Sequence, residues 1–517
     1  MPPPPQQPPP PSPDEASAIS SGARLAIAAS GFCRVVSFGL NLALARSVSP
    51  ELLGLASVQL QLLLATSLFL GREGFRLALV RPTASPQQHV NAAFLAAPCG
   101  LVLAAGAARV GWSAVPAAHR PAALLYCLGA AVESLNEPLY LVAEARLLLG
   151  LRARAEAVAA VARAVCTYVC VAVLGCGATG FGLGCVAYAA CLLPQYAFGL
   201  ARSPGGLPRP RLAAGVDAAQ LALVGTFAAH GVFKHVLTEG DKIVLTFGAG
   251  LYHAGVYALV HNYGSLVVRL VLKPLEDAAR LRFARLHARG GAGAGAALRA
   301  AVASRVRGAA LLGAVLVSFG APHAATLLWL LSGARWAGTD APAALAWYCV
   351  YAAVLAVNGI LEAAVAAVMQ RDESAALAGA HAACFCLFAA LARPLMARFG
   401  ATGLIAASAA ATLPRIAFCA RCLHARFADL GVADDARGGG AMGLDPRATA
   451  VLAAAAAAAL ASDAARAASG GEVWAAHLCH VARGAALLAA AGYGVWRFDR
   501  PLCAELLAAA AGKAKKA

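Results

Sequence analysis

Runs of about 20 apolar residues recur along the whole chain, each long enough to cross a bilayer core of about 30 Å as a helix. Shorter segments rich in Pro, Gly and Arg separate them. The pattern predicts helices over 20–45, 52–70, 90–110, 121–145, 153–175 and 179–201, then a Pro/Arg loop, SPGGLPRPRL (203–212). A second group follows over 217–248, 253–285, 299–331, 343–369, 375–395 and 401–427, with GGAGAGAA (290–297) read as a flexible joint. DDARGGGAMG (434–443) is a linker to two last helices, 447–468 and 474–497. The expected fold is an all-α polytopic membrane protein, about 14 transmembrane helices in two six-helix lobes around a central cavity plus two C-terminal helices. The expected order is a disordered Pro-rich tail (1–19), an N-lobe (20–202), an inter-lobe loop (203–216) and a C-lobe (217–427). A Gly-rich linker (428–446), helices 13 and 14 (447–498) and a C-terminal tail (499–517) complete it.

Composition agrees with a lipid environment. Hydrophobic residues make up 60% of the 517, and charged residues 13%, against roughly 25% in soluble domains; mean hydropathy is +0.69. The formal net charge of +17 raises nucleic acid as a partner, but no basic stripe interleaved with aromatics sits on a soluble module. Loops after even-numbered helices instead gather arginines (Arg146, Arg152, Arg154; Arg280, Arg282, Arg285, Arg289), while those after odd-numbered helices are sparse. The positive-inside rule then puts the even loops and both termini in the cytosol. No basic segment precedes an apolar core in 2–13, so the first span is expected to insert as an uncleaved anchor. Lys513-Ala-Lys515-Lys516-Ala517 resembles a cytosolic dilysine retrieval signal of the endoplasmic reticulum, and a merely solvated basic tail reads equally well. No Asn-x-Ser/Thr acceptor occurs.

Conventional reactive motifs are missing. The fifteen cysteines lie mostly in apolar helices, unlike the framework of a small secreted chain. Cys419-Ala-Arg-Cys422 lacks a second pair, and His477 and His480 lack an obvious carboxylate partner. There is no phosphate-binding Gly-x-x-x-x-Gly-Lys-Ser/Thr loop and no nucleophile elbow. No cofactor, metal or ATP hydrolysis is therefore expected.

Ionisable groups inside apolar segments are costly and normally face a bundle interior or a cavity. The chain has six lysines against thirty-six arginines, and Lys234, Lys242 and Lys273 fall in or beside 236–285. Arg269, Lys273, Glu276 and Arg280 recur at i, i+4, i+7 and i+11, on one helical face. That face reads either as a cradle for phosphate or pyrophosphate or as an internal salt-bridge ladder. Lys273 precedes Pro274, where a kink is expected. Thr238-Glu239-Gly240-Asp241-Lys242 is expected to interrupt the seventh helix, as broken helices do at transporter sites, or to mark a helix end. Arg72-Glu73-Gly74-Phe75-Arg76 ends the second helix, as a site or as a positive-inside anchor. Glu133, Glu137 and Glu144 lie on one face of the fourth, with Asn136 and Pro138 beside them, and Arg34 of the first is a candidate partner. Asn358 and Glu362 repeat the pattern in the tenth, and Arg415 follows Pro414 in the twelfth. A polar, net-cationic cavity accommodates them all.

SLFLGREGFR (67–76), ESLNEPLYLVAEA (133–145), KHVLTEGDKIVLTF (234–247), GVYALVHNYGSLVVRLVLKPLED (255–277) and NGILEA (358–363) closely resemble the eukaryotic Rft-type oligosaccharide-translocation proteins, within the multidrug/oligosaccharidyl-lipid/polysaccharide flippase superfamily. The resemblance runs from about 20 to 425 and weakens over the last two helices. It implies fourteen helices in two lobes, in the endoplasmic reticulum membrane. It also implies a role in N-linked glycosylation: moving a dolichyl-pyrophosphate-linked mannose/N-acetylglucosamine oligosaccharide from cytosolic to luminal leaflet, or supporting that step, with dolichol-pathway enzymes as candidate partners. The positions it carries over are Arg34, Arg72, Glu73, Arg76, Glu137, Lys234, Glu239, Asn262, Arg269, Glu276, Asn358, Glu362 and Arg415; Lys273 joins them from the helical-face argument. The family tends to have a polar Asn before the twelfth-helix arginine, where this chain has Ser408 and Ala411.

Three activities compete: a lipid-linked oligosaccharide flippase, a non-transporting factor that binds or scaffolds the lipid intermediate, and an ion-coupled drug exporter. The last calls for a carboxylate cluster, which Glu133, Glu137 and Glu144 could supply, but arginines predominate and favour an anionic ligand. An integral glycosyltransferase would want paired acids on a luminal loop, and the odd loops are short. No expected step makes or breaks a covalent bond, so the chain is not expected to be an enzyme.

Overall fold

The computed structural model describes residues 33, 35–80, 85–369, 374–429, 446–468, 474–500 and 502–504. Arg34, the tail 1–19, the linker 434–443 and the terminal lysines fall outside the described residues. Among the described residues all regular structure is helical, and eleven helices are long and apolar enough to span a membrane. The sequence predicts fourteen. The first predicted helix is described only as a short apolar segment, Val35–Ser47. Arg120–Ala145, with its three carboxylates, is not among the eleven, and Ser374–Asp429 runs through a break at Gly400 (φ 57).

The chain divides into two compact units, one up to Ile243 and one from Val244. The first contains α1 (Val35–Ser47), α2 (Pro50–Leu79), α3 (Pro86–Ala114), α4 (Arg120–Ala145), α5 (Leu149–Val173), α6 (Ala178–Ala201) and most of α7 (Ala218–Gly248). The expected lobe boundary was 203–216; most of α7 instead belongs to the first unit. Proline at the first turn starts α2, α3 and α4, where a missing N–H costs no helical bond. Ser49 Oγ adds an N-cap by accepting from Leu52 N–H at 3.3 Å. Phe75, Tyr140, Leu192, Tyr196 and Leu200 form part of a buried core. Gly74 brings α7 against α2: a Cβ there would lie 2.6 Å from the Val224 carbonyl oxygen.

Of two expected irregularities, one is absent and the other is shortened. Thr238–Lys242 does not interrupt α7, which is helical throughout. Lys242 pairs with Glu239 at 2.5 Å, one turn back, and a lone Gly240 costs only about 1 kcal/mol in a helix. The glycine joint at 290–297 narrows to Gly290 and Gly291, both at positive φ, and α9 (Gly291–Val315, continuing through Leu316–Gly320) begins at once. The inter-lobe loop is tied to the first unit. Asn91 Nδ2 donates to the carbonyls of Arg211 (2.8 Å) and Gly215 (2.7 Å), its Oδ1 accepts from Arg211 N–H (2.9 Å), and Arg146 donates to Gly206 O (2.7 Å).

The second unit holds α8 (Leu251–Ala288), α9, α10 (Ala324–Ser332), α11 (Ala334–Ala337), α12 (Ala341–Val368), α13 (Ser374–Asp429), α14 (Pro446–Ala468) and α15 (Trp474–Phe498). Phe283, Val302, Leu361 and Leu423 join α8, α9, α12 and α13 in one core, and Phe319, Leu452 and Val495 seat the last two helices on α9. His477 and His480 lie buried in that region: His480 stacks on His323 at 4.0 Å and meets Ser462 Oγ at 2.9 Å, while His477 stacks on Trp329 at 4.2 Å. Packing explains these histidines, and among the described residues the nearest carboxylate oxygen to His480, on Asp463, stands 3.9 Å away. Val102, Phe198, Phe247 and Leu270 stay largely exposed, as lipid-facing side chains do.

Candidate functional site

In the first unit, α2 presents Arg72 and Arg76 one turn apart, and α4 presents Glu133 and Glu137 at the same spacing. The two pairs close as rungs. Arg72 Nη1 donates to Glu133 Oε1 at 2.7 Å, and Arg76 Nε and Nη2 donate to Glu137 Oε1 and Oε2 at 2.5 and 2.8 Å. The Arg76 guanidinium also lies over the Tyr140 ring, 4.0 Å from its centroid. Glu73 is one residue further round α2, about 100° on a helix of 3.6 residues per turn, and so faces α7. There it accepts from Lys234 Nζ at 2.7 Å. Lys234 is 60% exposed at its side chain while Glu73 is 16% exposed.

Three cations and three carboxylates thus cancel in charge while differing in what remains open. Arg76 is held bidentately on a nearly buried acid, as a rigid post. Arg72 and Lys234 each commit one donor to a carboxylate, of five on a guanidinium and three on an ammonium. They are the members suited to hold an added phosphate by charge-assisted bonds. His235 stacks on Phe69 at 5.1 Å and meets Thr66 Oγ1 at 2.9 Å, fixing α7 beside this rung.

The carboxylates expected to seek Arg34 have other partners: Glu144 lies 3.4 Å from Arg152, which also binds Glu156 at 3.0 Å. Sequence reasoning missed Tyr140, Arg152, His235 and Arg163. Arg163, half-buried on α5, donates to Gln61 Oε1 at 3.2 Å. As a lone cation within an apolar run it was open to the same argument that singled out Lys273. Tyr140 had a signal too, one turn from Glu137.

In the second unit the α8 face exists in part. A π-helical turn, Val268–Leu272, lies just before Lys273 and Pro274; such turns add a residue to the helical repeat and recur at functional sites. Arg269 therefore leaves the ladder and folds back on Ser265, donating to its carbonyl (3.3 Å) and hydroxyl (3.1 Å). Lys273 pairs with Glu276 (3.1 Å) and Asp277 (3.2 Å), and Arg280 pairs with Glu276 (2.7 Å). Asn262 is exposed on the same helix. Glu276 packs against α12 at Gly359, where a Cβ would approach its Oε2 to 3.2 Å.

A second cluster ties α12 to both arms of α13. Glu362 Oε1 accepts from His381 Nε2 at 3.1 Å and lies 3.2 Å from Arg415 Nε, an ion pair without hydrogen-bond alignment. Asn358, buried one turn earlier, also reaches Glu362. No pattern in the sequence pointed to His381.

A family model described as "Rft protein" matches residues 18–507. The chain is 30% identical over 378 residues to the Man(5)GlcNAc(2)-PP-dolichol translocation protein RFT1 of Xenopus tropicalis, covering 66% of this chain and 70% of that protein. It is 31% identical over 379 residues to the protein of the same name from Mus musculus, with the same coverage. Among solved structures, it is similar to an inward-facing MATE-family multidrug transporter of the MOP superfamily (TM-score 0.54, 14% identity, 78% of this chain and 96% of that one). It is also similar to the lipid II flippase MurJ in an inward closed state (TM-score 0.54, 11% identity, 92% and 99%). At such identities the two structures speak to the fold alone, and that fold is the expected polytopic helical one. With the family model spanning nearly the whole chain, and with relatives of this identity and coverage, the chain belongs to the Rft protein family.

Proposed function

We propose that this chain moves a dolichyl-pyrophosphate-linked mannose/N-acetylglucosamine oligosaccharide from the cytosolic to the luminal leaflet of the endoplasmic reticulum membrane, within the pathway of N-linked glycosylation. The names of its relatives, translocation proteins for Man(5)GlcNAc(2)-PP-dolichol, support the lipid class. The observation that carries the reading is the pair of rungs Arg72–Glu133 and Lys234–Glu73, braced by Arg76–Glu137, in which Arg72 and Lys234 keep donors uncommitted. Lys273 and Arg280 offer the same chemistry in the second unit. A pyrophosphate needs such donors to leave water, and internal carboxylates keep the cations from holding it too tightly to release. Moving the lipid breaks no covalent bond, so the reading is of a transporter rather than an enzyme. The arginine-rich even loops support a cytosolic position for those loops, and the names of the relatives support the endoplasmic reticulum membrane.

One observation favours a second reading, that of a non-transporting factor which binds or scaffolds the lipid: each of these cations already has a carboxylate partner, as a purely structural lock would. The deciding experiment reconstitutes the protein in liposomes with labelled dolichyl-pyrophosphate heptasaccharide and follows its access to an external probe. Transbilayer movement with wild type, lost in Arg72→Ala and Lys273→Ala, supports translocation. Folded protein that restores glycosylation in depleted cells yet moves no lipid sinks it in favour of the scaffold.

A further inference from the structure

Between α8, α9 and α12 lies a slot of about 210 Å³ that side chains leave unfilled. Leu272, Leu312 and Ile360 give it apolar walls, and Gly308 and Gly359 complete its lining. Two ionisable side chains reach it from different helices, Glu276 on α8 and Arg305 on α9. Glu276 in turn carries Lys273 and Arg280, and Lys273 carries Asp277. The polar end of the slot thus brings guanidinium and ammonium donors beside an apolar cleft.

We propose that this slot holds the headgroup-proximal end of the isoprenoid chain of a polyprenyl pyrophosphate lipid, with phosphate oxygens on Lys273, Arg280 and Arg305. The choice of lipid class rests on the function proposed above; the seat itself rests on the cavity. Its volume of about 210 Å³ takes the first carbons of a chain next to a phosphate. An isoprenoid enters in that form, as one chain esterified directly to phosphate, so that charge and hydrocarbon arrive at the same point. A diacyl phospholipid brings two chains, set back from its phosphate by glycerol. Methyl branches along the chain also need lateral room, and on the α9 wall Gly308 presents no side chain. The π-helical turn at Val268–Leu272 turns Arg269 away to Ser265 and leaves Lys273 and Arg280 as the cations of α8 paired with Glu276.

The test uses full-length protein in liposomes and two photoactivatable probes: a short polyprenyl pyrophosphate with a diazirine on its first isoprene unit, and a phosphatidic acid with a diazirine on one acyl chain. Labelled peptides are mapped by mass spectrometry. The polyprenyl probe is expected to label 305–312 and 355–360, and Ala309→Leu, which fills the slot, is expected to abolish that labelling. Ala356→Val serves as the milder variant if Ala309→Leu fails to fold, judged by its melting temperature. Equal or stronger labelling of the slot by the phosphatidic acid overturns the proposal, as does labelling that both variants leave intact. Translocation is scored in the same liposomes. Wild type that moves the lipid while neither probe labels the slot sinks this inference alone. Wild type whose slot labels as expected but which moves no lipid supports the seat and sinks the transport reading.

Discussion

Arg76 meets Glu137 through two parallel hydrogen bonds, 2.5 and 2.8 Å long, with the carboxylate only 6% exposed. Removing one member of a buried pair strands the other, at a cost of about 3–5 kcal/mol. Glu137→Ala is therefore expected to lower the melting temperature of the detergent-solubilised protein markedly. Arg76→Lys keeps the charge but loses the planar fork and is expected to fall between wild type and Glu137→Ala. Melting curves that coincide for all three would mean that this contact contributes nothing to holding α2 on α4.

Lys234 should behave in the opposite way. Its pair with Glu73 is mostly exposed on the lysine side, and exposed pairs contribute only about 0–1 kcal/mol. Lys234→Ala is expected to melt close to wild type. Its affinity for inorganic pyrophosphate should drop about tenfold or more, since a charged hydrogen bond is worth about 1.5–3 kcal/mol. Thermal melting reads the first quantity and isothermal titration calorimetry the second; unchanged affinity would remove Lys234 from the candidate site.

Gly74 is the middle residue of the Arg72–Arg76 motif, and its role is steric. A Cβ there meets the Val224 carbonyl oxygen at 2.6 Å and Ala228 Cβ at 3.0 Å, so Gly74→Val has to push α7 away from α2. Overpacking of this kind costs typically about 1–3 kcal/mol, and it should also separate Lys234 from Glu73. A spin-label distance between α2 and α7 that does not change in Gly74→Val would refute the close approach.

Much of this was legible in the sequence, and the rest was hidden for physical reasons. Apolar runs fixed most helices within a few residues, because a bilayer imposes their length. Charged residues inside those runs pointed to Arg72, Glu137, Lys273 and Glu362, because burial of charge is costly anywhere in a bundle. Partner choice stayed out of reach. Which helix faces Glu133 depends on packing that no spacing encodes, so its pairing with Arg72 emerged only from the structure. Thr238–Lys242 looked like a break because glycine and charge disfavour helix, yet an i, i+3 ion pair and neighbouring residues carry the helix through. The face drawn through Arg269, Lys273 and Arg280 assumed a uniform 3.6-residue turn, and one π-helical turn was enough to remove Arg269 from it.

Asn136 on α4 and Asn358 on α12 are both buried, and among the described residues the amide oxygen of each has no hydrogen-bond partner. Each stands within a turn of an ion pair, Glu133 and Glu137 in one unit and Glu362 in the other. An unsatisfied buried acceptor costs about 1–3 kcal/mol, a cost that an apolar side chain of similar size avoids. Asn136→Leu is accordingly expected to raise the melting temperature if the amide does nothing but pack, and to do so while reducing lipid movement if the amide serves a sugar hydroxyl or another donor of the passing headgroup. Asn358→Leu carries an extra loss, its contact with Glu362, and should gain less stability. The pair of measurements, melting temperature and translocation rate on each variant, separates the cases. A stabilised Asn136→Leu with an undiminished rate would assign the amide to packing alone. A destabilised one would show that its oxygen has a partner in the membrane, a lipid or a water, that apolar replacement cannot reproduce.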